Sequence, residues 1–449
     1  MSLKKHPTDL HLEGLLDQDP DRRKILLHVI ECDRCRARLS TIRRRLRARR
    51  AASPAGDGEE PDPALLLRGS PAHTFGLTLW KERRDALELF TQLCRERVEQ
   101  RYALIRSAPR FQSWGLFELL VERSLETVTQ DPGLAEELGE MAVRLSEHFD
   151  GSLYGTRTIE DLRARAWAHI GNARRVRSDL AGAQQAFAFA HAHLQKGTKD
   201  PVELAVLLDL EASLRRGQRR FDEADNLLRK AARIFVKQGD PHLAGRALAK
   251  LSIVHHAGGN LEEALVLLRR SLDLLDMERE PRLRLYAQHN LSSYLTEAGR
   301  FAEAREVYQE ARPLYRDFPE AWVQNRRKWV RGRILLGLGH AARAESLLLA
   351  ARDGFVDEGV PYDTALISLE IAALYAEQGR TAELKRLSGE MLPIFSSLHI
   401  HREALAALTF LIGAIETETA TLDVVQGVER YLRKAADRPE LRFPEPESR

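Results

Sequence analysis

The stretch "LYAQHNLSSYLTEAGRFAEAREVYQEARPLY", residues 285–315, decides the fold. Leu291 and Leu295 recur at helical spacing before Gly299, and Ala304, Tyr308 and Ala311 recur at helical spacing after it. That pattern is two helices joined by a tight turn, each with one apolar face. Glycine at the turn permits a backbone conformation that a Cβ resists. Ala304 and Ala311 let paired helices approach closely.

The same turn signature recurs along the chain. It appears as "SDLAGA" (178–183), "RRFDEA" (219–224), "GNLEEA" (259–264), "GRFAEA" (299–304), "GHAARA" (339–344) and "GRTAEL" (379–384). The position numbers of the anchors Leu180, Phe221, Leu261, Phe301, Ala341 and Thr381 rise by 41, 40, 40, 40 and 40. One helix pair cannot bury its apolar face alone, whereas stacked neighbours can, so a fixed period of this kind predicts an α-solenoid. The fold class expected is all-α.

These residues resemble the tetratricopeptide repeat. Its spacing, L-G/A/S-x2-Y/L-x3-G-x-F/Y/L-x2-A-x3-F/Y/L-x2-A, is filled by Leu291, Ser292, Leu295, Gly299, Phe301, Ala304, Tyr308 and Ala311. Leu251, Ser252, Gly259, Leu261, Ala264 and Leu268 fill it again. The common unit has about 34 residues, so a unit of 40 implies longer helices or longer links. The 379–392 unit departs from the pattern at Thr381 and Leu384, which suits a position near a C-terminal cap. The resemblance implies a binding groove lined by the first helix of each unit. It places Arg165, His169, Asn172, Arg175, Arg246, Lys250, His289, Asn290, Arg326 and Arg333 on that face. Arg and Asn suit an extended, acidic peptide, because they bond both its backbone and its carboxylates. Ordinary solvated charges are the alternative.

Around the repeats, composition and patterning divide the rest of the chain. Domains run to roughly 100–200 residues each. A chain of 449 residues therefore allows several domains or one long array. Hydrophobic residues are 43% and charged residues 30%, which favours a packed core over disorder. Residues 73–150 read as an irregular helical cap, broken at Asp131-Pro132-Gly133, and 151–437 as the repeats. The stretch 46–72 combines the end of a basic helix with a Pro, Gly and acid-rich linker, and 438–449 reads as a disordered tail. No apolar run approaches the length of about 20 residues that a membrane span needs. The N-terminus lacks a signal-peptide core. Three cysteines make no disulfide framework. The expectation is a cytoplasmic protein.

Residues 1–45 carry a different signal. His28, Cys32 and Cys35 form H-x3-C-x2-C, and His28 and Cys32 share a helix face. Structural zinc takes four N or S ligands, so one more is required. His6 and His11 lie upstream. This spacing resembles the anti-sigma-factor type zinc finger over about residues 6–45. The resemblance implies bound Zn2+, with His6 as the fourth ligand and His11 as the alternative, and a sigma factor as a partner. A segment this small has little core, and a metal would supply folding energy. A redox C-x2-C pair, or a chance spacing without a ligand, are the other readings.

An arginine block follows. Arg34, Arg36, Arg38, Arg43, Arg44, Arg45, Arg47, Arg49 and Arg50 make nine in seventeen residues, with no acid among them. Such a helix neutralises phosphates, grips an acidic protein surface, or is simply solvated. In the last case it would pair with Asp57, Glu59, Glu60 and Asp62. No aromatics are interleaved, so stacking on bases has no support and nucleic acid is not the favoured partner.

Enzyme motifs are absent: there is no G-x4-GK[ST], H-E-x2-H or G-x-S-x-G. Cys94 and the Trp322/Trp329 pair suit core or inter-repeat packing, and His255-His256 suits a helix end. The sequence therefore points to a non-catalytic cytoplasmic bacterial regulatory adaptor. It would bind protein or peptide partners through its repeats, with a zinc-holding N-terminal domain. A scaffold whose finger is purely structural, a nucleic-acid-associated regulator, and an enzyme subunit whose catalysis a partner supplies are the alternatives.

Overall fold

A computed structural model describes residues 71–276, 278–397, 402–417, 420–435 and 442–443. The candidate zinc ligands His6, His11, His28, Cys32 and Cys35 and the basic run Arg43–Arg50 lie outside the described residues. Among the described residues every regular element is helical. None of those helices is long and apolar enough to cross a membrane. The chain divides into two compact units, Met1–Val254 and His255–Arg449.

The described part of the first unit opens with α1 (Pro71–Arg95), α2 (Val98–Ser107), α3 (Trp114–Thr127), α4 (Pro132–Ser146) and the single turn α5 (Gly151–Tyr154). The break foreseen at 131–133 is a helix start. Asp131 accepts the amide of Leu134 at 2.9 Å. Pro132 occupies the first helical position, where no N–H is needed. Regular pairing follows with α6 (Thr156–Val176), α7 (Leu180–Lys196), α8 (Pro201–Gly217) and α9 (Phe221–Lys237), then α10 (Pro241–Ala257). Phe111, Leu116, Phe117, Leu138, Met141 and Leu145 share one core with Ile159, Leu162 and Ala166 of α6, so the irregular helices cover the end of the first pair.

The second unit contains α11 (Leu261–Leu274), α12 (Pro281–Glu297), α13 (Phe301–Ala311), the short α14 (Leu314–Asp317) and α15 (Ala321–Gly337). It continues with α16 (Ala341–Asp357), α17 (Pro361–Glu377), α18 (Thr381–Ser397), α19 (Arg402–Glu416) and α20 (Leu422–Ala435). Leu291, Leu295, Ala304, Tyr308 and Ala311 are all buried, in a cluster with Tyr315, Val323, Val330 and Ile334. The unit after Gly379 is not the last helix pair. Leu384, Leu387 and Met391 of α18 share a core with Leu408, Leu411, Val425, Val428 and Leu432 of α19 and α20.

Helix length accounts for the long period. Helices α8, α9, α10, α12, α15, α16, α17 and α18 each run 17 residues. At about 1.5 Å per residue that is about 25 Å. The turns close alike. The amide of Arg300 reaches the carbonyl of Leu295 at 2.8 Å, that of His340 reaches Leu335 at 2.9 Å, and that of Arg380 reaches Tyr375 at 2.9 Å. These closures need a left-handed residue just past the helix end. Gly299 supplies it at φ 73°, while Ser178 and Arg219 adopt it at 66° and 60° despite their Cβ atoms. Proline opens several first helices at the same period, at Pro201, Pro241, Pro281 and Pro361. Close packing sets a further demand: a Cβ on Gly337 would lie 2.2 Å from the Phe301 ring.

One expectation about a single residue changes. Cys94 is exposed, and the buried position of its turn is taken by Leu93. One residue is a step of about 100° around the helix, enough to carry a side chain from the buried side to the surface. The two tryptophans have separate surroundings. Trp329 packs edge-on against Phe355 at 5.9 Å and donates its indole N–H to Glu370 at 2.7 Å. Trp322 is 38% exposed beside Tyr286.

Candidate functional site

The site is built on the first helices of the first unit. On α6, Arg165, His169, Asn172 and Arg175 follow at steps of four, three and three, which keeps them on one helix face. Helix α8 adds Asp209 and Arg216, and α10 adds Arg246 and Lys250. Side-chain bonds tie the three helices together. Arg165 pairs with Glu203 of α8. Lys250 of α10 donates to Asp209 at 2.7 Å.

Asp209 is the centre of this face, at 1% exposure. Its Oδ2 faces Lys250 Nζ at 2.7 Å and Arg246 Nη2 at 3.7 Å. The second distance is an ion pair rather than a hydrogen bond. Oδ1 of Asp209 and Nε of Arg246 are both buried and have no hydrogen-bond partner among the described residues. Arg175 has no carboxylate partner among them either. Its guanidinium donates to the Asn172 amide oxygen at 2.9 and 3.2 Å.

The electrostatics show an excess of positive charge. Burial, with the neighbouring Arg216 charge, pulls Arg175 down to about 10. Burial also lowers Lys250; Asp209 opposes that shift, while the fields of Arg246 and Arg175 add to it. Burial holds His169 neutral, down to about 4, and the charges of Arg165 and Arg246 push the same way. Arg165 goes the other way: burial opposes its charge, but the Glu203 carboxylate, with the fields of Glu118 and Asp161, outweighs it. Among the described residues, Arg165, Arg175, Arg216, Arg246 and Lys250 thus pair with only two carboxylates, Glu203 and Asp209. An uncompensated guanidinium in a half-dry site attracts a carboxylate or phosphate.

The corresponding face of the second unit differs. Arg326 pairs with Asp363 at 2.9 Å and Arg333 with Glu370 at 3.3 Å. Glu370 also accepts from Trp329 at 2.7 Å and from Arg433 of α20 at 2.8 Å. Burial, reinforced by Arg326 and Arg333, lowers His289 to about 4, and its Nδ1 lies 2.7 Å from the Tyr315 hydroxyl. Asn290 is half-buried. Of the expected groove residues, the structure gathers Arg165, Asn172, Arg175, Arg246 and Lys250 into one cationic cluster. It neutralises Arg326 and Arg333 with acids.

Asp209 and Arg216 were not among the residues expected. The repeat register carries the missing signal. Arg216 holds, one unit further on, the place that Arg175 holds in its own unit, and Asp209 holds the place that His289 takes two units later. Among the described residues no cluster of three or more His, Cys, Asp or Glu could hold a metal ion. Elsewhere in the first unit, a cleft of about 650 Å³ is lined by Tyr102, Ile105, Val143, Trp167 and Ile170. At its rim Arg144 is paired with Glu147, so it lacks the charge excess of the α6–α8–α10 face.

The comparisons agree with this architecture. The tetratricopeptide repeat model matches residues 203–277 and 243–317, a span that holds α8 to α13. No curated protein matches the sequence. Among solved structures, a Rap protein complexed with competence and sporulation factor is 13% identical. It aligns over 72% of this chain and 88% of its own, with a TM-score of 0.52. The apo form of RapI is 11% identical over 71% of this chain and 86% of its own, with a TM-score of 0.54. At such identities the likeness is one of fold.

Proposed function

We propose that this chain is a non-catalytic adaptor that binds an acidic peptide segment of a protein partner on the α6–α8–α10 face. The observation that carries the reading is the cluster of five cations paired with two carboxylates, with Arg175 and Arg216 left without an acid among the described residues. A protein of the same fold forms a complex with a competence and sporulation factor, which supports a partner-binding role. The test is titration of the full chain with an acetylated, amidated hexaglutamate peptide, with hexalysine as control. Hexaglutamate should bind with a steep salt dependence, and Arg175→Glu together with Arg246→Glu should abolish it. Equal binding by the doubly reversed variant would refute the assignment.

For residues 1–45 we propose a zinc-holding domain that engages a sigma factor. The support is its donor set: His28, Cys32 and Cys35 at H-x3-C-x2-C, with His6, or alternatively His11, to supply the fourth ligand. Two thiolates and two imidazoles suit tetrahedral Zn2+. Metal content of the purified chain should be one zinc, falling in Cys32→Ser/Cys35→Ser; unchanged zinc would sink the proposal. Affinity purification through a C-terminal tag tests the partner. Recovery of a sigma factor dependent on Cys32 and Cys35 is expected, and nuclease-sensitive partners dependent on Arg43–Arg50 would replace that reading with nucleic-acid binding.

A further inference from the structure

The cationic cluster contains one feature that simple anion attraction does not require. Asp209 is a carboxylate at the centre of a site read as anion-binding, and half of it is unused. Oδ2 holds Lys250 at 2.7 Å, while Oδ1 is buried without a hydrogen-bond partner. Buried carboxylate oxygens are strong acceptors, and leaving one unmet is costly. Beside it, Arg246 has the complementary vacancy, a buried Nε–H with no acceptor. The 3.7 Å between Arg246 Nη2 and Asp209 Oδ2 is too long for these two residues to satisfy each other. The face therefore holds one unmet acceptor and one unmet donor on two paired residues, and the Arg246 side chain as a whole is 26% exposed.

We infer that Asp209 is a specificity residue, its Oδ1 accepting a backbone N–H of the bound acidic peptide while Arg246 donates its Nε–H to that ligand's carboxylate. This inference rests on the acidic-peptide reading of the groove. It selects within the class of anions. A peptide offers an N–H donor close to its carboxylates, and a bare polyanion such as tripolyphosphate above its last pKa offers none. In the proposed pose Arg246 turns toward a ligand carboxylate and Asp209 Oδ1 meets the peptide amide. For a bare polyanion, Asp209 is only a repelling charge and an unmet acceptor. Sites whose buried polar groups must be satisfied by the ligand discriminate strongly against ligands that cannot satisfy them.

The two roles of Asp209, acceptor and counter-charge, give opposite outcomes on substitution. Amidated hexaglutamate and tripolyphosphate are titrated against the full chain, against Asp209→Ala and against Asp209→Asn, with thermal melts of each variant. Asp209→Ala removes both the acceptor and the charge. Hexaglutamate should then bind about tenfold or more weaker, as expected for loss of a hydrogen bond to a charged group, while tripolyphosphate binds tighter. Asp209→Asn keeps an acceptor oxygen and the side-chain volume, so it should restore most of the peptide affinity while still favouring tripolyphosphate. If both ligands bind tighter in both variants, Asp209 is a counter-charge only and the inference is overturned. If Asp209→Ala does not melt cooperatively, the Asp209→Asn comparison decides. Parallel gains for peptide and polyanion refute the inference, and a gain confined to tripolyphosphate supports it. If the unaltered chain binds neither probe, the groove reading itself fails and the Asp209 assignment falls with it. A chain that binds hexaglutamate independently of Asp209 leaves the groove reading standing without it.

Discussion

Replacing His169 by glutamine should flatten the acid side of the first unit's stability profile. His169 is buried on α6, and burial, with the Arg165 and Arg246 charges, holds it down to about 4. In the unfolded chain it titrates near about 6.5. Below that pH the unfolded state therefore binds more protons than the folded state, so stability falls as pH falls. The loss starts near the unfolded value and is complete a little below the folded one. A difference of that size corresponds to about 3 kcal/mol in full, of which roughly half is lost by pH 5.5 and most by pH 4.5. Glutamine is neutral at every pH and keeps a polar side chain of similar reach. Urea denaturation at pH 7.0, 5.5 and 4.5, followed by far-ultraviolet circular dichroism and tryptophan fluorescence, measures the difference. His289 in the second unit is also held at about 4 and remains in the variant, so the full acid loss is reduced rather than removed. The first-unit transition of His169→Gln should lose about 2–3 kcal/mol less between pH 7.0 and 4.5 than the unaltered chain. Parallel profiles would show that His169 takes up a proton in the folded groove, and the reasoning from burial and neighbouring cations would be wrong.

Other perturbations test the framework. Lys250→Met strips buried Asp209 of its ammonium partner at 2.7 Å. That change should cost about 3–5 kcal/mol by urea denaturation. Adding Asp209→Asn should recover most of that loss, whereas additive costs would show that the two groups are uncoupled. Gly299 adopts φ 73° at a turn with open space around it. Gly299→Ala should therefore lose about 1–2 kcal/mol through backbone strain alone, measured by the same denaturation. Ser178 holds a left-handed φ of 66. Ser178→Gly should raise the melting temperature, and a fall would refute the strain argument. Gly337→Val drives branched carbons into the Phe301 ring. It should destabilise the second unit by about 1–3 kcal/mol, with little change at the α6–α8–α10 face. Equal loss of hexaglutamate binding would contradict that separation.

Much of the architecture is legible in the sequence because it rests on period and turn chemistry. The buried set Leu291, Leu295, Ala304, Tyr308 and Ala311 follows from spacing alone. The repeat length implies longer helices or longer links, and the helices carry it. The site is less legible, because charge pairing depends on which helices lie side by side. Arg175 and Arg333 look alike in sequence. One meets only an amide, from Asn172, and the other meets Glu370, a residue two helices further along the chain. Asp209 is a further case. Nothing in its neighbours along the chain marks it as the hub of a cationic face, and only alignment by the repeat register does. The Cys94 expectation failed by a single residue. Helical patterning assigns faces by steps of about 100°, and Leu93 fits the buried side better.

The uniform turn closure constrains how such a chain can change length. The first helix of each repeat must end in phase with a left-handed residue, and the residue after it must close back onto the carbonyl five positions earlier. One added residue inside a helix rotates every later side chain by about 100° and withdraws the buried anchors from their neighbours. Point substitution on the groove-facing helices leaves that phase untouched. Lineages of this protein should therefore diverge freely in the residues that meet a ligand, while insertions and deletions fall in the turns or remove whole helix pairs.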